Sequence, residues 1–260
     1  MIKQLFNFHT HTYRCQHGVG TEEEYVVAAI KAGYKQLGFS DHMPCKGIID
    51  PGERMSFDEV EDYINTINAL KIKYRDKIQI FSGFETDYWV DRLDEILYLK
   101  DKVDYLILGN HQRALHVNDY FVKVSDDDLV EWVKRIEIAM KTNLVKIIAH
   151  PDLFMLVRDE FGELEGKAAD AICRLSKQYN VPLEINLRGV NFGKLNYGGD
   201  LRYPYPFRDF WVYAQKHQCP VIFGLDAHSP NNFTEMYRFN EIEEIIKGLN
   251  LNILSEYKIK

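Results

Sequence analysis

Short apolar runs alternate with longer amphipathic stretches along the whole chain. The runs Leu5–His9, Gln36–Ser40, Ile78–Gly83, Tyr105–Leu108, Val145–Ala149, Pro182–Ile185 and Val221–Phe223 are short and mostly apolar and read as strands. Spacing of helical period between and after them predicts helices over Thr21–Gly33, Ser56–Arg75, Asp91–Lys100, Asp126–Thr142, Leu164–Tyr179, Pro206–Lys216 and Glu235–Leu249. Thr21 with Glu24, and Ser56 with Glu59, have the spacing of capping boxes, and Gly33 suits a C-terminal turn.

About seven β-then-α units without an intervening hairpin signal imply parallel strands joined by helical crossovers. An open doubly wound sheet fits the same string. The position of the polar residues favours a barrel. His9, Asp41/His42, Glu85, His111, His150, Asn186 and Asp226/His228 all fall at or just beyond the C-terminal ends of predicted strands. In a closed barrel those ends converge on one face. No linker or low-complexity stretch interrupts the pattern, so residues 1–260 read as one domain.

Seven of the nine histidines (His9, His11, His17, His42, His111, His150 and His228) follow strands, and only His116 and His217 lie elsewhere. Buried imidazoles and carboxylates without partners are costly, and cations would satisfy them. On an extended segment His9-Thr10-His11 offers two nitrogens to one ion, and Asp226-Ala227-His228 repeats the spacing with a carboxylate. His42 is the better ligand of the Asp41/His42 pair, with Asp41 either orienting it or capping a loop. Glu85 ends a buried run, a poor place for a charge unless it bridges cations. Nitrogen and carboxylate donors favour Zn, Mn or Fe over Mg or Ca. Nine candidate donors exceed what one or two ions with open positions need, which points to three.

A formal charge of -7 argues against a nucleic-acid polymer or an anionic membrane as partner, though not against a small phosphorylated substrate held by cations. Met1–His11 lacks the layout of a signal peptide, and no apolar run has the length of a membrane span. The cysteines Cys15, Cys45, Cys173 and Cys219 are scattered without a C-x₂-C pair. The expectation is a cytoplasmic protein with reduced thiols and no thiol nucleophile. Neither a P-loop nor a G-x-S-x-G elbow occurs.

Eight segments together carry a resemblance. They are His9-Thr10-His11 with Cys15-Gln16-His17-Gly18, Gly38-Phe39-Ser40-Asp41-His42, Arg54-Met55-Ser56, Gly83-Phe84-Glu85-Thr86-Asp87-Tyr88, Gly109-Asn110-His111, Ala149-His150-Pro151-Asp152, Glu184-Ile185-Asn186 and Gly224-Leu225-Asp226-Ala227-His228. In this order they resemble the PHP (polymerase and histidinol phosphatase) superfamily over nearly the whole chain, most closely its histidinol-phosphate phosphatases. The resemblance implies a distorted TIM-like (β/α)7 barrel with three divalent transition-metal ions. His9, His11, Glu85 and Asp226 would hold the first ion. Glu85 would bridge to the second, with His111 and His150, and His17, His42 and His228 would hold the third. The implied reaction is hydrolysis of L-histidinol phosphate by a metal-bridged hydroxide, with His42 or Asp226 supplying the leaving group's proton. Arg158, then Arg188, would anchor the phosphate. Asn7, Leu225, Asn110 and Phe207 depart from the family pattern without removing a ligand. Three other readings follow the same motifs: a nucleotide or other small ester as substrate, a non-catalytic metal-binding barrel, and an amidohydrolase. The last would want a bridging Lys or carboxylate at mid-barrel, and Glu85 with His17 and His42 suits the PHP arrangement better.

Overall fold

A computed structural model describes residues 4–259, so the opening of the Met1–His11 stretch read for a leader lies outside it. Eight strands run through it: β1 (Phe6–Asn7), β2 (Gln36–Phe39), β3 (Gln79–Thr86), β4 (Tyr105–Leu108), β5 (Ile147–Ile148), β6 (Leu183–Asn186), β7 (Pro220–Gly224) and β8 (Asn252–Ile253). Each pairs in parallel with its predecessor in the chain, giving one sheet in sequential order. The sheet curls so that the continuations of β1 and β7 meet. Thr10 forms a parallel bridge with Ala227, and the His11 amide donates to the Ala227 carbonyl at 2.8 Å. Below that bridge the Gln4 side chain pairs with both the amide and the carbonyl of Phe223. The result is a distorted TIM-like barrel. The eighth strand, two residues long and not among the expected seven, pairs in parallel with the start of β7.

The helices are α1 (Glu22–Ala32), α2 (Val60–Lys73), α3 (Leu93–Lys100), α4 (Asp126–Lys141), α5 (Glu163–Tyr179), α6 (Arg208–His217) and α7 (Met236–Ile245). Both expected capping boxes form. Thr21 and Glu24 satisfy each other's backbone amides at the start of α1, which ends on Gly33 at φ 88. Ser56 and Glu59 do the same, but they open a 3₁₀ turn (Phe57–Glu59) that leads into α2. Two short antiparallel hairpins, absent from the sequence expectation, sit in the loops after β4 and β6: Gln112–Ala114 with Val117–Asp119, and Leu195–Tyr197 with Asp200–Arg202. Lying in βα loops, they leave the parallel order intact.

Two apolar layers hold this frame. Phe6, Phe8, Phe81, Tyr105, Ile107 and Ile222 plug the barrel interior, with Phe8 edge-on to Phe81 and Tyr105. The second layer packs the helices on the outside of the strands, with Trp132, Ile136, Phe154, Phe210 and Trp211 fully buried. The plug blocks the lower part of the barrel, so polar side chains gather only above it, where the strands end.

Candidate metal centre

At that upper end the backbone turns sharply. Asn110, His150 and Asp226, just past β4, β5 and β7, have φ of 60, 28 and 45°. Non-glycine residues enter this left-handed region at a cost of roughly 1–3 kcal/mol each, and such strain collects at functional sites. Here the turns help to aim His150 and Asp226 at one point.

That point is Glu85, 3 % exposed at the end of β3. Its Oε1 lies 3.0 Å from His150 Nε2, 3.3 Å from His111 Nε2 and 3.4 Å from His9 Nε2. Its Oε2 lies 3.2 Å from His11 Nε2 and 3.1 Å from His42 Nδ1. One carboxylate thus faces five imidazoles, with its oxygens shared between two groups. Asp226 Oδ1 joins from the β7 side, 3.6 Å from His9 Nε2 and 3.5 Å from His11 Nε2. At the rim the His17 and His228 Nε2 atoms stand 3.0 Å apart, and His42 completes their group. The nine donors expected from the sequence therefore converge. Eight of them fall into overlapping sets suited to cations: His9/His11/Asp226, His9/Glu85/His150, His11/His42/Glu85 and His17/His42/His228; the ninth, His111, joins through Glu85 Oε1.

The donor chemistry fits metal ions on its own terms. His9 and His11 face each other Nε2 to Nε2 at 3.0 Å. The outer nitrogen of His9 is occupied, with Nδ1 lying 2.8 Å from Glu184 Oε1. A carboxylate there fixes the tautomer that turns the Nε2 lone pair inward. Glu184 also accepts from the His150 amide and from Asn186 Nδ2, and Asn186 reaches Asp226 Oδ2 at 3.1 Å. Asp87 receives the His111 amide, His17 Nδ1 meets the Gly52 carbonyl, and His228 Nδ1 meets the Asp226 carbonyl. A Cβ at Gly109 would fall 2.6 Å from Glu85 Oε1, so this spot tolerates only glycine without a shift.

Charge states follow from burial and the carboxylates. Burial opposes ionisation of Glu85, yet His111, His9 and His11 hold it well below the usual range. Asp226 is depressed in the same way, mainly by His9. Burial brings His42 down to about 3 and lowers His11 and His228. Against the same burial, Glu184, Asp226 and Glu85 raise His9, and Glu85 and Asp87 bring His111 up to about 10. A deprotonated imidazole at His42 and an ionised carboxylate at Asp226 are the forms that suit metal ligands.

Seven of the nine donors, all but the deeper His9 and His11, line a cavity of about 310 Å³ that also presents Arg188, Tyr205, Arg54, Glu53, Asp119 and Phe121. Arg188 makes no side-chain hydrogen bond or ion pair among the described residues. Arg158 does not line this cavity. Its guanidinium is spent on Asp126, Glu165 and the Val124 carbonyl, so it serves as a tie between α4 and α5 and leaves Arg188 as the free guanidinium. Asp41 accepts from the Thr12 amide and hydroxyl, which makes it a loop cap and not the orienter of His42. Burial brings its carboxyl up to about 7. Sequence reasoning assigned no role to Glu184, Arg54 or Tyr205. Glu184 carried a signal: it is a charge inside the apolar run Leu183–Ile185, as Glu85 is at the end of its own.

The PHP domain family model matches residues 7–188. The chain belongs to the PHP family. Among relatives of this PHP protein, one named "probable histidinol-phosphatase" from Deinococcus radiodurans is 26% identical over 235 residues, covering 87% of each chain. A histidinol-phosphatase of Bacillus subtilis is 34% identical over 99 residues, 36% of this chain and 37% of its own length. The crystal structure of histidinol phosphate phosphatase from Lactococcus lactis, complexed with Zn, L-histidinol and phosphate, superposes with a TM-score of 0.72 at 17% identity. That match covers 96% of this chain and 95% of the other, so the two share the PHP fold across their length. No helix among the described residues is long and apolar enough to cross a membrane.

Proposed function

We propose that this chain, a metal-dependent phosphomonoesterase of the PHP family, hydrolyses L-histidinol phosphate to L-histidinol and phosphate, a step of histidine biosynthesis. The observation that carries the reading is the convergence of His9, His11, His17, His42, Glu85, His111, His150, Asp226 and His228 at the floor and wall of a cavity that also holds Arg188, which has no ion-pair partner among the described residues. Glu85 offers an oxygen to each of two donor groups, and the rim imidazoles form a further group, so the site suits three divalent ions of the Zn, Mn or Fe kind. Bound there, such ions would polarise the phosphoryl oxygens and acidify a water, the chemistry a phosphomonoester needs.

The chain's own residues do the rest. Arg188 can grip phosphate oxygens as a bidentate fork, since no other described residue claims it. Glu184 and Asn186 fix the rings and carboxylates that face the substrate. Of the residues lining the cavity, the carboxylates Glu53 and Asp119 have no ion-pair partner among the described residues, and the Phe121 ring stacks on His111 at 5.8 Å. Acidic and aromatic side chains in the same cavity as a phosphate anchor suit an ester whose alcohol carries an ammonium and a flat ring, as L-histidinol does. They suit a nucleotide less well, because that substrate would bring further anionic or neutral groups to the same side chains.

The test is a comparison of kcat/KM for L-histidinol phosphate against a panel of phosphomonoesters with metal-loaded protein. Preference for the histidinol ester is expected. A preference for another ester by orders of magnitude would remove the substrate, and no turnover of any ester would remove the enzyme. In the same assay Arg188→Ala should raise KM about tenfold or more, as loss of a charge-assisted contact implies. An unchanged KM would take the phosphate from Arg188.

A further inference from the structure

Arg238 in α7 is an arginine with 0% exposure, far enough along the sequence from every donor that no motif contains it. Burying a guanidinium costs several kcal/mol unless its donors are used. Two of its three nitrogens are used, and both in one place; Nη1 has no hydrogen-bond partner. Nη2 donates to the Leu225 carbonyl at 2.6 Å and Nε to the Leu187 carbonyl at 3.1 Å, while Nη1 lies 3.9 Å from Glu235. Leu187 is the peptide that leads into Arg188, and Leu225 is the peptide that leads into Asp226. The Leu187 amide meanwhile donates to the Gly224 carbonyl at 2.8 Å, so the ends of β6 and β7 are already laced together there. Beyond that link the ladder stops, and Asp226 turns to φ 45°. A flexible pair of strand ends would let the carboxylate and the guanidinium drift.

We infer that Arg238 is a positioning residue of the site: a buried fork that clamps two strand-end carbonyls and so fixes where Asp226 and Arg188 point. It touches neither substrate nor metal. Two properties suit arginine to this task. Its planar donors hold two acceptors at a set separation, which a lysine ammonium on a flexible stem does not. Its fixed charge also lies near Asp226, so the clamp adds attraction for the ionised carboxylate. Leu225 fits the same scheme. Its side chain is buried in the core at 2 % exposure, leaving its carbonyl as the group that meets Arg238.

The inference rests on the ligand role of Asp226 and the phosphate role of Arg188 proposed above. Arg238→Lys keeps the charge and one donor, and Arg238→Met keeps much of the volume. Ile136→Ala in α4, remote from the site, serves as a control of comparable or greater destabilisation. Zn(II) or Mn(II) affinity is measured by competition with a chromogenic chelator, and KM and kcat are measured on a phosphomonoester. The expected result is tenfold or greater loss of affinity for at least one ion in both Arg238 variants, with a raised KM in Arg238→Lys. Ile136→Ala should lose thermal stability and keep both quantities. Folded Arg238 variants with the wild-type affinity and KM would overturn the inference. So would failure of Arg238→Lys to fold at all, because the residue would then hold the molecule and not the site. If wild-type protein takes up no metal, the ligand assignment itself fails, and that result is distinct from either.

Discussion

At the scale of single residues, the chemistry depends on side chains that hold other side chains. Glu184 shows this most directly. It is 1 % exposed and binds His9 Nδ1, the His150 amide and Asn186 at once. Removing such an outer partner typically costs 10–100-fold in metal affinity or activity. Glu184→Gln keeps the shape but cannot hold the His9 tautomer as a carboxylate does. We expect metal affinity and kcat to fall by about that factor, with metal titration as the check, and unchanged affinity would reject the role. Asp152 carries a separate residue-scale prediction. Burial brings its carboxyl up to about 7 from 3.8, although the Phe207 amide and Trp211 Nε1 donate to it. A raised carboxyl pKa contributes stability that is present below about 3.8 and is lost as pH rises towards 7. Asp152→Asn carries no such proton. Metal-free Asp152→Asn should therefore gain stability over metal-free wild type between about pH 5 and about pH 8, by up to roughly 3 kcal/mol. Denaturant melts at the two pH values check this, and a difference that does not change with pH would contradict it. Burial pushes the Cys15 thiol up to about 12 and the Cys45 thiol up to about 11.

At the scale of elements, β7 and its neighbours show how little room the site leaves. Gly224 ends β7 beside β6, and a Cβ there would fall on the Glu184 carboxylate. Gly224→Ala should push Glu184 off His9 and lower metal affinity about as much as Glu184→Gln does, while leaving the helical content measured by circular dichroism intact. Full metal affinity in that variant would mean the carboxylate has space to move. Elements also divide what the sequence revealed from what it hid. The helix starts at Thr21 and Ser56 were legible because a capping box is local, complete within four residues. Strand ends that carry donors were legible because a polar residue closing an apolar run is conspicuous. Glu184 shared that signal but lay inside its run. The 195–202 hairpin turns on Gly198-Gly199, at φ 59 and 104°, a signal present in the sequence but overshadowed by the βα rhythm. β8 is two residues long, too short for any period to register. Arg158 was misplaced because the partners that engage it, Asp126 and Glu165, are set by how α4 meets α5, and no local pattern encodes that contact.

At the scale of the whole molecule, the barrel gathers donors that the chain scatters from His9 to His228. Its lower half is filled by Phe6, Phe8, Phe81 and Tyr105, which excludes water beneath the site. Its upper half concentrates five imidazoles around one buried carboxylate. The central claim is that this cluster is a seat for several cations. Anomalous diffraction from crystals of the protein, purified without chelator and grown with phosphate, tests it most directly. The account predicts up to three anomalous peaks, each about 2.0–2.3 Å from donors drawn from His9, His11, His17, His42, Glu85, His111, His150, Asp226 and His228, with one peak on each side of Glu85. A map with no peak there, or with these side chains turned away from one another, would contradict it.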